Sequence, residues 1–110
     1  MNITAIGLLG EWRAERFLKK KGMRLLCRRF KTPHGEIDLV LKDGETLVFA
    51  EVKYRPSGHM GQGASAVDMQ KKKNLRYAAR HYLSRHAHAF FRFDVVEITA
   101  AGIRHIPNAF

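Results

Sequence analysis

Four charged side chains interrupt an otherwise apolar stretch between Gly35 and Arg55: Glu36, Asp38, Glu51 and Lys53. Carboxylates and a lysine are costly to bury unless they pair with one another or hold a metal ion. Glu51 and Lys53 are two apart, as are Glu36 and Asp38, so in extended backbone each pair leaves the strand on one face. The runs Ile37–Leu41 and Thr46–Val52 are joined through Lys42-Asp43-Gly44-Glu45, and Asp-Gly between two such runs signals a β-hairpin. Pairing across that turn brings Asp38 near Glu51, with Lys53 beside them. Two carboxylates and a lysine around one point suit phosphodiester hydrolysis assisted by a hard divalent cation. Asp38 and Glu51 are the expected metal ligands, and the Val52 carbonyl adds an oxygen. An oxygen-only set favours Mg²⁺ or Mn²⁺ over zinc. Lys53 is expected to orient the attacking water or to meet the scissile phosphate. The alternative for the same residues is a buried ion pair without chemistry.

The flanking elements must position these groups. Gly7 to about Lys21 reads as an amphipathic helix, with Gly10, Ala14, Phe17 and Leu18 on one face and Gly22 as its stop. Glu11 flanks that face and Glu15 lies one turn on; without further information both are expected to be solvated and paired with Arg16 or Lys19. Met23–Lys31 reads as a strand with Leu25, Cys27 and Phe30 inward. Nearly every residue from Leu47 to Val52 is apolar, which predicts a strand covered on both sides at the middle of the sheet. Pro56–Ser65, rich in Gly and Ser, reads as a loop at the mouth of the site. Ala66 to about His86 is a second helix, capped by Ser65 or Asp68, with Val67, Leu75, Ala78, Ala79 and Tyr82 buried. Lys71 points along that apolar face, either snorkelling to water or reaching over the sheet. Ala89–Thr99 is a further strand with Phe91, Phe93, Val95 and Ile98 inward, and Ile103–Ile106 a short last one. His81, His86 and His88 lack ligand spacing and are read as surface residues.

Composition narrows the partners. Twenty Lys and Arg stand against ten Asp and Glu in 110 residues, a formal charge of +10, which favours a polyanion. Nucleic acid, DNA above all, is the expected partner, with Arg28, Arg29, Lys31, Arg55, Lys71, Lys72 and Arg76 as phosphate contacts. An anionic protein or membrane surface is the weaker alternative. One cysteine, Cys27, excludes an internal disulfide framework and a cysteine-based zinc cluster. The first residues lack the basic start of a secretory signal, and no apolar run reaches the ~20 residues of a spanning helix. A single cytoplasmic domain over residues 1–110, not bound to a membrane, is expected.

Asp38 followed after a hairpin by Glu51-Val52-Lys53 resembles the signature of the PD-(D/E)xK nuclease superfamily. The wider set resembles the small bacterial YraN family within it, distantly similar to archaeal Holliday-junction resolvases. That set comprises Gly10-Glu11, Ala14, Phe17-Leu18, Gly22, Gly35-Glu36-Ile37-Asp38-Leu39, Phe49 to Lys53 with Arg55, Val67, Lys71, Leu75, Ala79, Arg92-Phe93-Asp94-Val95-Val96 and Asn108-Ala109-Phe110. Arg29 stands where the family more often has Asn, and Tyr54 where a small hydroxyl residue is common. The resemblance implies an α/β, restriction-endonuclease-like mixed sheet flanked by two helices, in the order helix, three strands, helix, strand, short strand. It makes Glu11 a helix carboxylate that approaches the metal, ahead of Glu15, and Lys71 the basic residue of the second helix. The implied activity is cleavage of DNA, on branched or recombination intermediates, for which a homodimer would match a two-fold substrate. The alternative is a nucleic-acid-binding protein of the same fold with little or no cleavage.

Overall fold

The computed structural model describes residues 5–56 and 68–110, with side chains described from residue 8 onward. Its elements run α1 (Ala5–Lys20), β1 (Arg24–Thr32), β2 (Gly35–Asp43), β3 (Thr46–Arg55), α2 (Met69–Arg85), β4 (Phe90–Thr99) and β5 (Gly102–Ile106). The five strands form one mixed sheet in the order β1-β2-β3-β4-β5. The first three make an antiparallel meander, β4 joins β3 in parallel, and β5 returns antiparallel. A parallel neighbour requires a crossover, and α2 supplies it. The central position of β3 is as the apolar run Leu47–Val52 predicts.

Alternation along β3 divides the core into two layers. Leu47 and Phe49 pack with Leu75, Ala78, Ala79 and Tyr82 of α2. Val48 and Ala50 pack with Ala14 and Leu18 of α1. The helices therefore cover opposite faces of the sheet. Leu18, Leu39, Leu41, Val48 and Val96 are almost wholly buried, and cutting such a side chain back to Ala costs ~2–5 kcal/mol. Two glycines set how closely the layers approach. A Cβ on Gly10 would lie 2.8 Å from the Tyr54 Cβ, so α1 sits against β3 only because that atom is missing. A Cβ on Gly35 would lie 2.2 Å from the Asn74 carbonyl oxygen, the same constraint between the start of β2 and α2.

Several local expectations need correction. The hairpin turn is Gly44-Glu45, with Asp43 paired to Thr46 as the last strand residue. Gly44 takes the first turn position at φ +60°, where a side chain would be strained. Asp68 rather than Ser65 caps α2, its carboxylate accepting from the Lys71 N–H at 2.8 Å. The helix starts at Met69, and Ala66, Val67 and the Pro56–Ser65 loop beyond its first residue fall outside the described residues. Phe91 is not core: it is half exposed at the margin of the α2-side layer, edge-on to Phe49 and Phe93. Strict alternation also fails within β2. Ile37 packs under α2 and Leu39 under α1 although they are two apart, so alternation breaks at Asp38 and the face shared by Glu36 and Asp38 is lost, while the β1–β2 register shifts only between Leu25 and Cys27.

Candidate functional site

The break in alternation at Asp38 lies where the sheet opens. The β2–β3 ladder ends at the pair Leu39↔Ala50, and the β1–β2 ladder passes from Arg28↔Leu39 to Phe30↔Ile37 without pairing Arg29 to Asp38. Asp38 is thus free of both ladders. Its Oδ2 accepts from the Val52 N–H at 2.8 Å, a carboxylate taking the place of a strand carbonyl. That bond turns the Asp38 side chain towards Glu51, close enough for the two carboxyl groups to share a hydrogen bond. Glu51 is 4% exposed, on the α2 side of β3.

Two acids this close, one of them buried, cannot both ionise cheaply. Burial, then the Asp38 charge and its hydrogen bond, push the Glu51 carboxyl up to about 8, against the opposing pull of Lys71 and Lys53. Lys71, from the first turn of α2, brings its Nζ to 3.5 Å of Glu51 Oε2. That is an ion-pair distance too long for a good hydrogen bond. Glu51 Oε2 has no hydrogen-bond donor among the described residues although it is buried. A buried acceptor left in this state costs ~1–3 kcal/mol and invites a ligand that supplies positive charge.

Glu11 approaches from α1, where the close packing of Gly10 on Tyr54 brings it over the sheet. Burial and the neighbouring Asp38 charge raise its carboxyl to about 7, with Arg29 pulling the other way. Arg29 Nη2 donates to Glu11 Oε2 at 2.6 Å, and Arg29 Nη1 lies 3.6 Å from Glu36. Arg29 holds this position with φ +50°, left-handed backbone that costs a β-carbon residue ~1–2 kcal/mol and that Asn tolerates best after Gly. Arg29 adds a cation to the acidic cluster. Among the described residues no three His, Cys, Asp or Glu side chains converge as a metal cage. The acidic pair is Asp38 and Glu51, with Glu11 near but turned to Arg29.

The expected phosphate contacts do not form one patch. Arg28 binds Glu15 twice, at 2.7 and 3.0 Å, on the α1 side, and Lys19 completes that cluster at 2.7 Å. Glu15 is therefore buried and paired to Lys19 and Arg28, not to Arg16. Arg29 is taken up by Glu11. On the α2 side Lys71 faces Glu51, while Lys72 and Arg76 lie 5.6 and 5.5 Å from the centre of the Phe110 ring. Lys31 is exposed on β1 opposite Glu36, and Arg55 is half-buried at the end of β3 beside Thr99.

Two groups of buried charge escaped the sequence reading. Glu97 is fully buried and aligned in register with Lys53 on one side and Arg104 on the other. Asp94, also fully buried, accepts from Arg92 at 2.9 and 3.2 Å, from His105 Nε2 at 2.7 Å and from the Asn108 N–H at 3.0 Å. Burial alone would raise the Asp94 carboxyl, but these donors together hold it below its usual range. Lys21 donates to His105 Nδ1 at 2.8 Å, so the His105 proton sits on Nε2, facing Asp94. The signal for both was available: a carboxylate in the apolar run Phe93–Thr99 is as conspicuous as Glu51 in its own.

A family model described as uncharacterised protein family UPF0102 matches residues 10–98. That span runs from α1 into β4 and includes Glu11, Asp38, Glu51 and Lys53. Similar chains include a UPF0102 protein of Geobacter metallireducens, 43% identical over 96% of this chain and 92% of the relative. Another, from Caldicellulosiruptor saccharolyticus, is 40% identical over the whole of both chains. A third, from Herminiimonas arsenicoxydans, is 42% identical over 94% of this chain and 85% of the relative. The chain belongs to the UPF0102 family, the YraN family that its sequence resembles.

Proposed function

We propose that this UPF0102 protein is a divalent-metal-dependent endonuclease acting on DNA. The observation that carries the reading is the Asp38–Glu51 pair: a buried carboxylate raised to about 8 beside a second acid, with an oxygen that has no hydrogen-bond donor among the described residues. A group in that state is stabilised by a cation, and the donors are all oxygens, which suits Mg²⁺ or Mn²⁺. Asp38, Glu51 and the Val52 carbonyl would hold the ion, with Glu11 reaching it directly or through water once released from Arg29. When bound, such an ion supplies Lewis-acid charge to a phosphoryl oxygen. The chain's own residues do the rest. Lys53, two along from Glu51 on β3, holds the phosphate or orients the attacking water. Lys71 gives a second positive charge on the same side of the strand, and the charge of +10 draws in the polyanion. The resemblance to PD-(D/E)xK nucleases supports the same assignment, including branched DNA as substrate and a homodimer to match it.

A second reading has its own observation. Arg29 at 2.6 Å from Glu11 and Lys71 at 3.5 Å from Glu51 already compensate the acids internally, as a binding protein without catalysis would require. Calorimetric titration with Mn²⁺ separates the two, run on wild type, Asp38→Asn and Glu51→Gln, with cleavage assays on linear, flapped and four-way DNA. The nuclease reading expects metal binding lost in both acid variants, and Lys53→Ala to bind metal but not cut. Equal Mn²⁺ affinity in all three proteins sinks the metal site. Metal binding without cleavage of any substrate establishes the binding protein instead.

A further inference from the structure

The outward face of α1 is built unlike an ordinary solvated helix face. Trp12 is 63% exposed, flanked by Leu8 and Leu9 at 49% and 46%. An indole left in water on a basic protein points to a partner that covers it. Helical spacing puts Arg16 one turn from Trp12 and Lys20 one turn further, with Arg13 alongside. Arg13, Arg16 and Lys20 make no hydrogen bond or ion pair with any described residue, in contrast to Arg28 and Arg29. They instead line a shallow hollow of about 220 Å³ with Phe17 and Ile103. On the other flank Trp12 borders a more enclosed cavity of about 170 Å³, whose walls include Leu8, Leu39, Glu11 and Arg29. A cavity of roughly 150 Å³ accepts one aromatic ring. This cavity borders the candidate site, since Glu11 and Arg29 line it.

From this arrangement we infer that α1 binds a single-stranded segment of nucleic acid. Trp12 stacks on one unpaired base at the cavity it lines together with Glu11 and Arg29, and Arg13, Arg16 and Lys20 contact successive phosphates. A planar hydrophobic surface next to unpaired cations is the pattern by which single strands are held: bases stack and the backbone follows the charge. Duplex DNA, with its bases stacked internally, offers Trp12 nothing comparable. The inference rests on the nucleic-acid reading above and narrows its substrate to one that carries unpaired bases, such as a flap or an open junction.

Trp12 is the only tryptophan in the chain, so intrinsic fluorescence reports on this position alone. The test titrates the protein in chelator, where nothing is cut, with a dT oligonucleotide of about ten nucleotides and with a blunt duplex. Saturable quenching by the single strand, weaker with the duplex and relieved by salt, is expected. Trp12→Ala should weaken single-strand binding, measured by anisotropy of a labelled oligonucleotide, about tenfold. Trp12→Phe should recover most of that loss, and Arg16→Ala should reduce the salt slope by about one. Unchanged emission on binding, or equal affinity of wild type and Trp12→Ala, overturns the inference while leaving a nuclease reading in place. Emission that follows protein concentration rather than DNA, with a dimer in sedimentation abolished by Trp12→Ala, overturns it in favour of self-association. Failure of wild type to bind any DNA overturns both.

Discussion

Glu51→Gln should make the metal-free protein more stable at alkaline pH, although it removes the central residue of the site. Burial and the Asp38 charge move the Glu51 carboxyl from 4.5 to about 8, so between those values the folded protein keeps a proton that the unfolded chain releases. The native state then binds more protons than the unfolded one, and stability falls as pH rises. Stability from this group is fully present below 4.5 and its loss is complete only above about 8. Taken at face value the displacement is worth ~5 kcal/mol. Water and side-chain relaxation around a charged Glu51 reduce this to roughly 2–3 kcal/mol. The Lys71 pair that the variant also loses offsets little, since Lys71 is 40% exposed and such pairs contribute below ~1 kcal/mol. Glutamine keeps the volume and donates to Asp38 as the protonated acid does. Urea unfolding in chelator should give nearly equal stabilities at about pH 5, and a gap of roughly 2–3 kcal/mol favouring the variant at about pH 8.5. Saturating Mn²⁺ should reverse the order at high pH, because an ion that binds only the folded wild type stabilises it. A wild type as stable as the variant at alkaline pH without metal would refute the reasoning.

Gly35→Ala should cost more than Gly10→Ala. The first drives a methyl to 2.2 Å of a backbone oxygen and forces α2 away, while the second meets the Tyr54 Cβ at 2.8 Å and costs ~1–3 kcal/mol; thermal melts that reverse the order would count against this packing. Asp94→Asn should lose ~1–3 kcal/mol, since it removes one of the two carboxylates that pair with Arg92 and puts an amide where Arg92, His105 Nε2–H and the Asn108 N–H need an acceptor, and a neutral result in urea unfolding would show that cluster to be dispensable. Lys71→Ala removes a group that lowers the Glu51 carboxyl, so the Glu51 titration should move to higher pH. Carboxyl-carbon NMR would detect the displacement, and a downward movement would contradict the assigned pairing.

What could be read from the sequence, and what could not, follows from what periodicity measures. The runs 37–41 and 46–52 and the spacing of Leu75, Ala78, Ala79 and Tyr82 place strands and helix, because each face averages over many residues. Glu51 beside Asp38 was legible for the same reason: two apolar runs joined at Gly44 bring their outer ends together. The failures lie where one residue departs from the average. Arg29 takes left-handed backbone that no local pattern announces, and Asp38 sits at a break in alternation where neither ladder pairs it. Long flexible side chains were equally opaque, since spacing does not say whether Lys71 ends in water or at Glu51. These departures share a physical cause. A carboxylate kept in regular pairing would point into one apolar layer or into solvent. At an opening in the sheet it instead meets Glu51 from the α2 side and Glu11 from the α1 side. The strain at Arg29, and the Glu51 oxygen without a donor among the described residues, lower the stability of the fold where carboxyl groups from both layers meet. That coincidence of local cost with gathered carboxylates is the physical argument for assigning the proposed cation and phosphate to this opening, rather than to the equally buried but fully bonded Asp94 cluster.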